Sequence, residues 1–255
     1  MIYVERGLSD GTIVEKVDYK RLSPFSHESK RIVGEIYEDL AKFASFYGIL
    51  FHDDAYLSDY EDAGSAALDY YAKNWGLPAS LREIRADPEL FEKWTRKKTD
   101  FLIKWTHDLM ERVRFYRPDA KSARNLYAEV VLNPESEAWF SQSLEKFLAG
   151  YDYTALMAMP YMEKARDDEE WLERLVGKVA QLPSGLDKTV FELQSVDWEQ
   201  EKPVPSKTLA RWMALLQRSG VHHFGYYPDD FIQSLPHIDL IKGEISISDY
   251  PYKEK

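Results

Sequence analysis

The 255-residue chain contains no cysteine. That excludes disulfides, thiolate nucleophiles and cysteine-ligated metal sites. It does not choose a compartment, because a cysteine-free chain tolerates either redox environment. No run of about 18 apolar residues occurs, so no transmembrane helix is expected. The first residues, MIYVERGLSDGT, lack a basic segment followed by an apolar one and do not read as a signal peptide. Positive charge is in deficit: 33 Lys and Arg stand against 44 Asp and Glu, a net charge of -11. Such a chain repels nucleic acid and anionic membranes, while a neutral or cationic ligand is tolerated or drawn in. A Gly-rich phosphate loop, a G-x-S-x-G elbow and an H-E-x-x-H pair are all missing, so nucleophilic serine chemistry has no support. His52 stands alone, and His222-His223 can turn one ring inward at most. With no third histidine at suitable spacing, neither a metal site nor a cofactor is expected.

What the chain has in quantity is aromatic: 7 Trp, 17 Tyr and 12 Phe, 14% of its residues. Most belong in a large core. Tyr and Trp also carry an apolar face and a polar tip, which suits a cleft where pyranose rings lie on aromatic faces. At about 150 residues per domain, the length allows one large domain or two small ones.

Periodicity organises the chain. Residues 1–27 look irregular, with a short strand at Ile2–Glu5. Ile32, Ile36, Leu40 and Phe43 recur at helical spacing, with Glu35, Glu38 and Asp39 turned away, predicting a helix over Ser29–Ser45. Gly48–Phe51 reads as a short buried strand, and Ser65–Tyr71 as a short helix stopped by Gly76-Leu77-Pro78. Pro88 opens a long helix to Tyr116, with Trp94, Phe101, Leu102, Trp105, Leu109 and Val113 inside. Strands at Ser122–Tyr127, Ala155–Met159, Thr189–Leu193 and His222–Tyr226 then alternate with helices. These helices span Glu135–Leu148, Asp167–Val179, and Ser206–Arg218 with Ser206 as N-cap. Five βα units in one run predict an α/β fold with a parallel sheet. No linker divides it; the reading is an irregular arm over residues 1–20 and one domain over 21–255.

Acids follow every strand, usually beside an aromatic. The first strand ends in His52-Asp53-Asp54, the second in Tyr127-Ala128-Glu129, and the third in Tyr161-Met162-Glu163. The fourth carries Glu192, and the last runs into Tyr226-Tyr227-Pro228-Asp229-Asp230. In a parallel βα array these ends share one face, where barrel active sites sit. Two adjacent carboxylates raise one another's pKa, and a carboxyl held protonated is what protonating a glycosidic oxygen requires. Successive strand residues point opposite ways, so Asp53 and Asp54 cannot share one role. The same pair also serves commonly as a turn element, and SDYEDA after it reads more simply as a solvated loop without calcium-loop spacing.

Seven blocks then fall in order: RLSPF, GEIYEDLA, GILFHDDAYLSDYEDA, SARNLYAEVVLNPESEAWF, YDYTALMAMPYME, TVFELQ and FGYYPDDF. Over about residues 20 to 240 they resemble the C-terminal glycoside hydrolase domain of the PgaB/HmsF-type poly-β-1,6-N-acetyl-D-glucosamine N-deacetylases. The resemblance implies a TIM-type (β/α) barrel that binds, and in some members cleaves, the partly deacetylated biofilm polymer. It also implies a periplasmic or outer-membrane-associated location, no deacetylase activity in this region, and a catalytic block matching Asp53 and Asp54. Five βα units match only the later part of that barrel, and eight strands are needed to close one. The expectation is therefore an incomplete barrel from a fragment or truncated product, with an unpaired strand edge open to another chain that completes it.

Three working hypotheses follow. As an enzyme, Asp54 would be general acid and Asp53 would orient it or polarise a substrate group, with Glu192, or in second place Glu129, as base or nucleophile. Carboxyls roughly 5–5.5 Å apart imply retention, and about 6.5–9.5 Å inversion. A substrate-assisted route through the sugar's acetamide is a third mechanism. As a binding module, His52 and Glu129, with Asp229, would hold glucosamine groups, and Tyr56, Tyr127, Trp139, Tyr161, Trp198, Tyr226 and Tyr227 would stack on sugar rings. An inactive fragment is the remaining reading.

Overall fold

The computed structural model describes residues 2–8, 12–15 and 20–245. Near the N-terminus β1 (Glu5–Gly7) and β2 (Ile13–Glu15) pair antiparallel. The helix α1 (His27–Phe43) then leads into β3 (Gly48–Phe51). A long excursion follows through α2 (Ser65–Tyr70), α3 (Leu81–Ala86) and the 29-residue α4 (Pro88–Tyr116). The chain re-enters the sheet at β4 (Lys121–Tyr127) and continues through α5 (Ala128–Leu132), α6 (Glu137–Phe140) and α7 (Leu144–Gly150) to β5 (Tyr153–Ala158). Helices α8 (Asp168–Ala180) and α9 (Gly185–Lys188) precede β6 (Thr189–Gln194). A small pair, β7 (Val196–Asp197) and β8 (Lys202–Pro203), α10 (Ser206–Arg218), β9 (His223–Tyr227) and α11 (Ile238–Ile245) complete the order.

Strands β3, β4, β5, β6 and β9 form one parallel sheet in chain order, an incomplete TIM-type barrel. Helices cover the outer face of the sheet; β3 (GILF) and β5 (YTALMA) are the short apolar runs that suit this, whereas β4 (KSARNLY) carries polar residues. In β5, five of the six residues, Thr154 to Ala158, are buried. Outward-facing Phe51, Leu126, Leu156 and Phe191 pack with Leu172, Leu216 and Trp212 into the main core. A second core around Tyr71, Trp94, Leu57 and Phe101 holds the excursion after β3 together, and α4 runs through both. The helix starts are chemically marked. Asp87 accepts from the backbone of Glu89 and Leu90 ahead of Pro88, and Asp167 accepts from Glu170.

Four local expectations are corrected. The early strand is Glu5–Gly7 rather than Ile2–Glu5, because Glu5, Arg6 and Gly7 pair with Glu15, Val14 and Ile13. The single helix over Glu135–Leu148 is broken at Ser141, whose φ of 50° cannot continue a right-handed helix. Pro205 occupies the N-cap position of α10; the Ser206 hydroxyl instead accepts from the His237 backbone at 2.9 Å. In α1 the buried positions are Ser29, Gly34 and Ala41, whereas Ile36, Leu40 and Phe43 are exposed. Small residues let α1 approach α4 closely: a Cβ on Gly34 would meet the Arg112 guanidinium at 2.8 Å. Tyr47 and Leu50 are exposed as well, and among the described residues β3 pairs only with β4.

Candidate active site

Register decides what the inner face of the sheet carries. Tyr127, Met157, Glu192 and Gly225 lie opposite one another in one row across four strands. Asn125, Ala155, Val190 and His223 form the row toward the strand starts. Alternation puts all of these side chains on the face away from the helices. Gly225 leaves open space beside Glu192, with no atom within 4 Å of where a Cβ would stand.

Glu192 is half-buried and accepts from Asn125 Nδ2 at 2.8 Å. Burial pushes its carboxyl pKa up, and the Asp53 charge pushes the same way. The Asn125 hydrogen bond and His52 oppose the shift and lose. Asp53 sits just past the end of β3. Its Oδ2 accepts from the Tyr127 hydroxyl at 2.8 Å, and its Oδ1 lies 2.6 Å from His52 Nδ1. Burial and the Asp53 contact raise the Tyr127 phenol well above its ordinary range, so it stays a donor. His52 Nδ1 also lies 3.3 Å from Asp54 Oδ2, bridging the two acids. Donor atoms of His52, Asp53 and Asp54 thus fall within 4.8 Å of one another. That closeness is met by an imidazole between two carboxylates, and exposed acids of this kind are common without a metal.

Asp53 and Asp54 lie in the turn after β3 and meet at the His52 imidazole, but their other contacts differ. Asp53 turns to Tyr127 on the inner face. Asp54 lines a separate cavity of about 440 Å3 bounded by Tyr37, Phe51, Leu57, Leu102 and Trp105. A cavity of about 460 Å3 at the opposite end of the sheet, lined by Arg114, Lys121, Asp152 and Lys188, lies at the strand starts, away from these acids.

The other predicted residues spread over the same end. Tyr56 packs edge-on to Tyr127 with centroids 6.4 Å apart, beneath the Arg21 guanidinium at 4.4 Å. Glu129 opens α5 and accepts from Asn133 Nδ2 at 3.2 Å. Tyr161 packs against Trp212 at 5.2 Å, and Tyr226 alternates to the helix side, with Asp229 as its hydrogen-bond partner. Tyr227 points inward and is exposed, as are Trp139 and Trp198. One functional candidate escaped sequence reasoning. Asn125 is the partner of Glu192, and its signal was its place two residues before Tyr127 on one strand face. Glu163, already noted as a strand-end acid, follows β5; burial and the Glu129 charge raise its carboxyl, a link between two strand ends that spacing alone does not show.

A parallel barrel sheet whose strand ends gather carboxyls and aromatics defines a glycoside-hydrolase-type domain. The model of hypothetical glycosyl hydrolase family 13 (GHL13) matches residues 4–227, and the chain belongs to that family. It is 47% identical over 239 residues to the poly-beta-1,6-N-acetyl-D-glucosamine N-deacetylase of Escherichia coli K12 and to that of Escherichia coli O157:H7. The match covers 91% of this chain but 35% of each relative, so the chain spans about a third of their length. The PgaB (BpsB) glycoside hydrolase domain from Bordetella bronchiseptica superposes with a TM-score of 0.86 at 47% identity, over 91% of this chain and 67% of that one. A β-galactosidase from Marinomonas ef1 shares the fold alone, with a TM-score of 0.57 at 13% identity over 88% of this chain and 40% of that one. Among the described residues no helix is long and apolar enough to cross a membrane.

Proposed function

We propose that this domain binds partly de-N-acetylated poly-β-1,6-N-acetyl-D-glucosamine and hydrolyses it within the chain. The polymer class rests on the name of the Escherichia coli relatives, and a periplasmic or outer-membrane-associated setting is proposed with it. The observation that supports hydrolysis is that Asp53 is held by Tyr127, which stands in the same inner-face row as Glu192. One carboxyl is held by two hydrogen-bonding neighbours, and the other is pushed toward its protonated form. In this assignment Glu192, rather than Asp54, is the general acid. It gives its proton to the glycosidic oxygen as the bond to the anomeric carbon breaks, and a water that bonds to that carbon then returns a proton to the Glu192 carboxylate. Asp53 faces the developing positive charge, or polarises the sugar's acetamide in a substrate-assisted route, and Asp54 orients His52 behind it.

A non-catalytic binding module is the second reading. It is favoured by the Glu129–Glu163 pair, which suits an ammonium group, and by the exposed rings of Trp139, Trp198 and Tyr227. The test is incubation with partly de-N-acetylated polymer, with products read by mass spectrometry. Asp53→Asn, Asp54→Asn and Glu192→Gln run beside the parent. Oligosaccharides from the parent and none from Asp53→Asn or Glu192→Gln are expected. A folded parent that binds polymer and releases no product leaves the binding module.

A further inference from the structure

The segment after the acid pair is held in an unusual way. Five consecutive backbone carbonyls, Ala55 to Asp59, each accept from a side chain of a different part of the molecule. Arg124 Nη2 in β4 donates to Ala55 O at 2.6 Å. Arg21 donates to Tyr56 O. Ser141 Oγ donates to Leu57 O at 2.7 Å. Lys98 in α4 donates to Ser58 O and reaches Glu61 O at 3.2 Å. Arg85 in α3 donates to Asp59 O, with its carboxylate at 3.1 Å. Four of the five donors are cationic residues, and Arg124 and Lys98 are fully buried. Loop carbonyls normally turn to water or to other backbone, so committing two buried basic side chains to them is a costly arrangement. Arg124 has no carboxylate at ion-pair distance among the described residues. Its guanidinium lies over the Phe147 ring at 4.8 Å, and its Nη1 reaches the Tyr151 hydroxyl at 3.1 Å, which in turn meets Thr106.

We propose that residues 55–61 are a clamped strap and that Arg124 is a positioning residue, fixing Asp53 and Asp54 through the carbonyl that follows them. Arg124 touches no substrate in this arrangement. It ties the end of β3 to its neighbour β4, the strand that also supplies Tyr127 to Asp53. Catalytic placement is sensitive at this scale: a misplacement of about 1 Å can cost about a hundredfold in rate. The turnover arm of the test rests on the hydrolytic reading above; the exchange arm does not.

The experiment compares the parent with Arg124→Met, Arg124→Lys and Ser141→Gly. Glycine is at ease at the left-handed position of Ser141, so that variant removes a clamp hydroxyl without backbone strain. Amide hydrogen exchange over residues 54–61 is measured in each, with turnover and affinity for the polymer. Exchange in this segment should rise about tenfold or more in Arg124→Met and Ser141→Gly, with the β5 and β6 amides unchanged. In Arg124→Met kcat should fall about 10–100-fold with KM nearly unchanged, and Arg124→Lys should recover part of it. Unchanged exchange in both folded clamp variants overturns the strap. Faster exchange with unaltered kcat overturns the positioning role. If the parent binds polymer without cutting it, the hydrolytic reading fails by itself and affinity replaces turnover. An unchanged affinity in Arg124→Met then overturns the positioning role, and a weaker one restored by Arg124→Lys supports it.

Discussion

Glu192→Gln isolates one carboxyl. The amide has the same shape, and its oxygen can still accept from Asn125, 2.8 Å away in the parent. What disappears is a titrating group that burial, helped by Asp53, holds above its ordinary range. A folded-state pKa raised above the unfolded value contributes stability in full below the unfolded value, about 4.3 for Glu. That contribution is lost as pH rises through the folded value. The unfolding free energy of Glu192→Gln should therefore gain on the parent from about pH 4 upward and level off once the parent's Glu192 has ionised. Glu192 is not fully enclosed, so solvent screening keeps this gain below that of a sealed site. The effect on rate runs the other way. Losing a general acid costs about 10²–10⁴-fold, or about 3–5 kcal/mol at 1.36 kcal/mol per decade. Parent turnover should also fall as pH rises past the Glu192 pKa, and that limb should vanish in the variant. Urea unfolding at several pH values and polymer turnover supply both readouts. A stability difference flat across pH would refute the burial argument, and turnover within about threefold of the parent would refute the acid role.

Tyr127→Phe removes the 2.8 Å bond to Asp53 while its ring keeps Phe140 at 4.6 Å. A loss of about 1–2 kcal/mol is expected in chemical denaturation, and an unchanged midpoint would count against the contact. Burial draws Lys98 down to about 7. A lowered folded pKa means stability is lost as pH falls from the unfolded Lys value, about 10.4, toward neutrality. Lys98→Met should therefore lose less than the parent on moving from about pH 10 to about pH 7, and parallel curves would contradict it. Leu156→Ala, at a fully buried position of β5, should cost about 2–5 kcal/mol by thermal or urea unfolding; a cost near zero would mean the core is not packed as described.

Local pattern reached far into this molecule. Gly48–Phe51, Pro88–Tyr116 and Ser206–Arg218 begin and end where apolar spacing, proline and glycine signals put them. What it misjudged shows where local reasoning stops. Ile36, Leu40 and Phe43 have helical spacing, yet α1 turns Gly34 and Ala41 to α4, because close backbone approach outweighed the larger apolar stripe. Ser141 breaks a helix whose residues carry ordinary propensity, and its hydroxyl is taken by a carbonyl 84 residues away.

Alternation of short apolar strands with amphipathic helices, and an acid pair at the first strand's end, were properties of the sequence alone, since each depends on neighbours a few positions apart. Which acids meet was decided only in three dimensions. Tyr127 reaches Asp53 across 74 positions, and Asn125 reaches Glu192 across 67. Those meetings depend on the register of parallel strands, which the packing of the whole sheet against its helices sets. A slip of one residue would turn Glu192, Asn125 and Tyr127 toward the helices and dissolve the site.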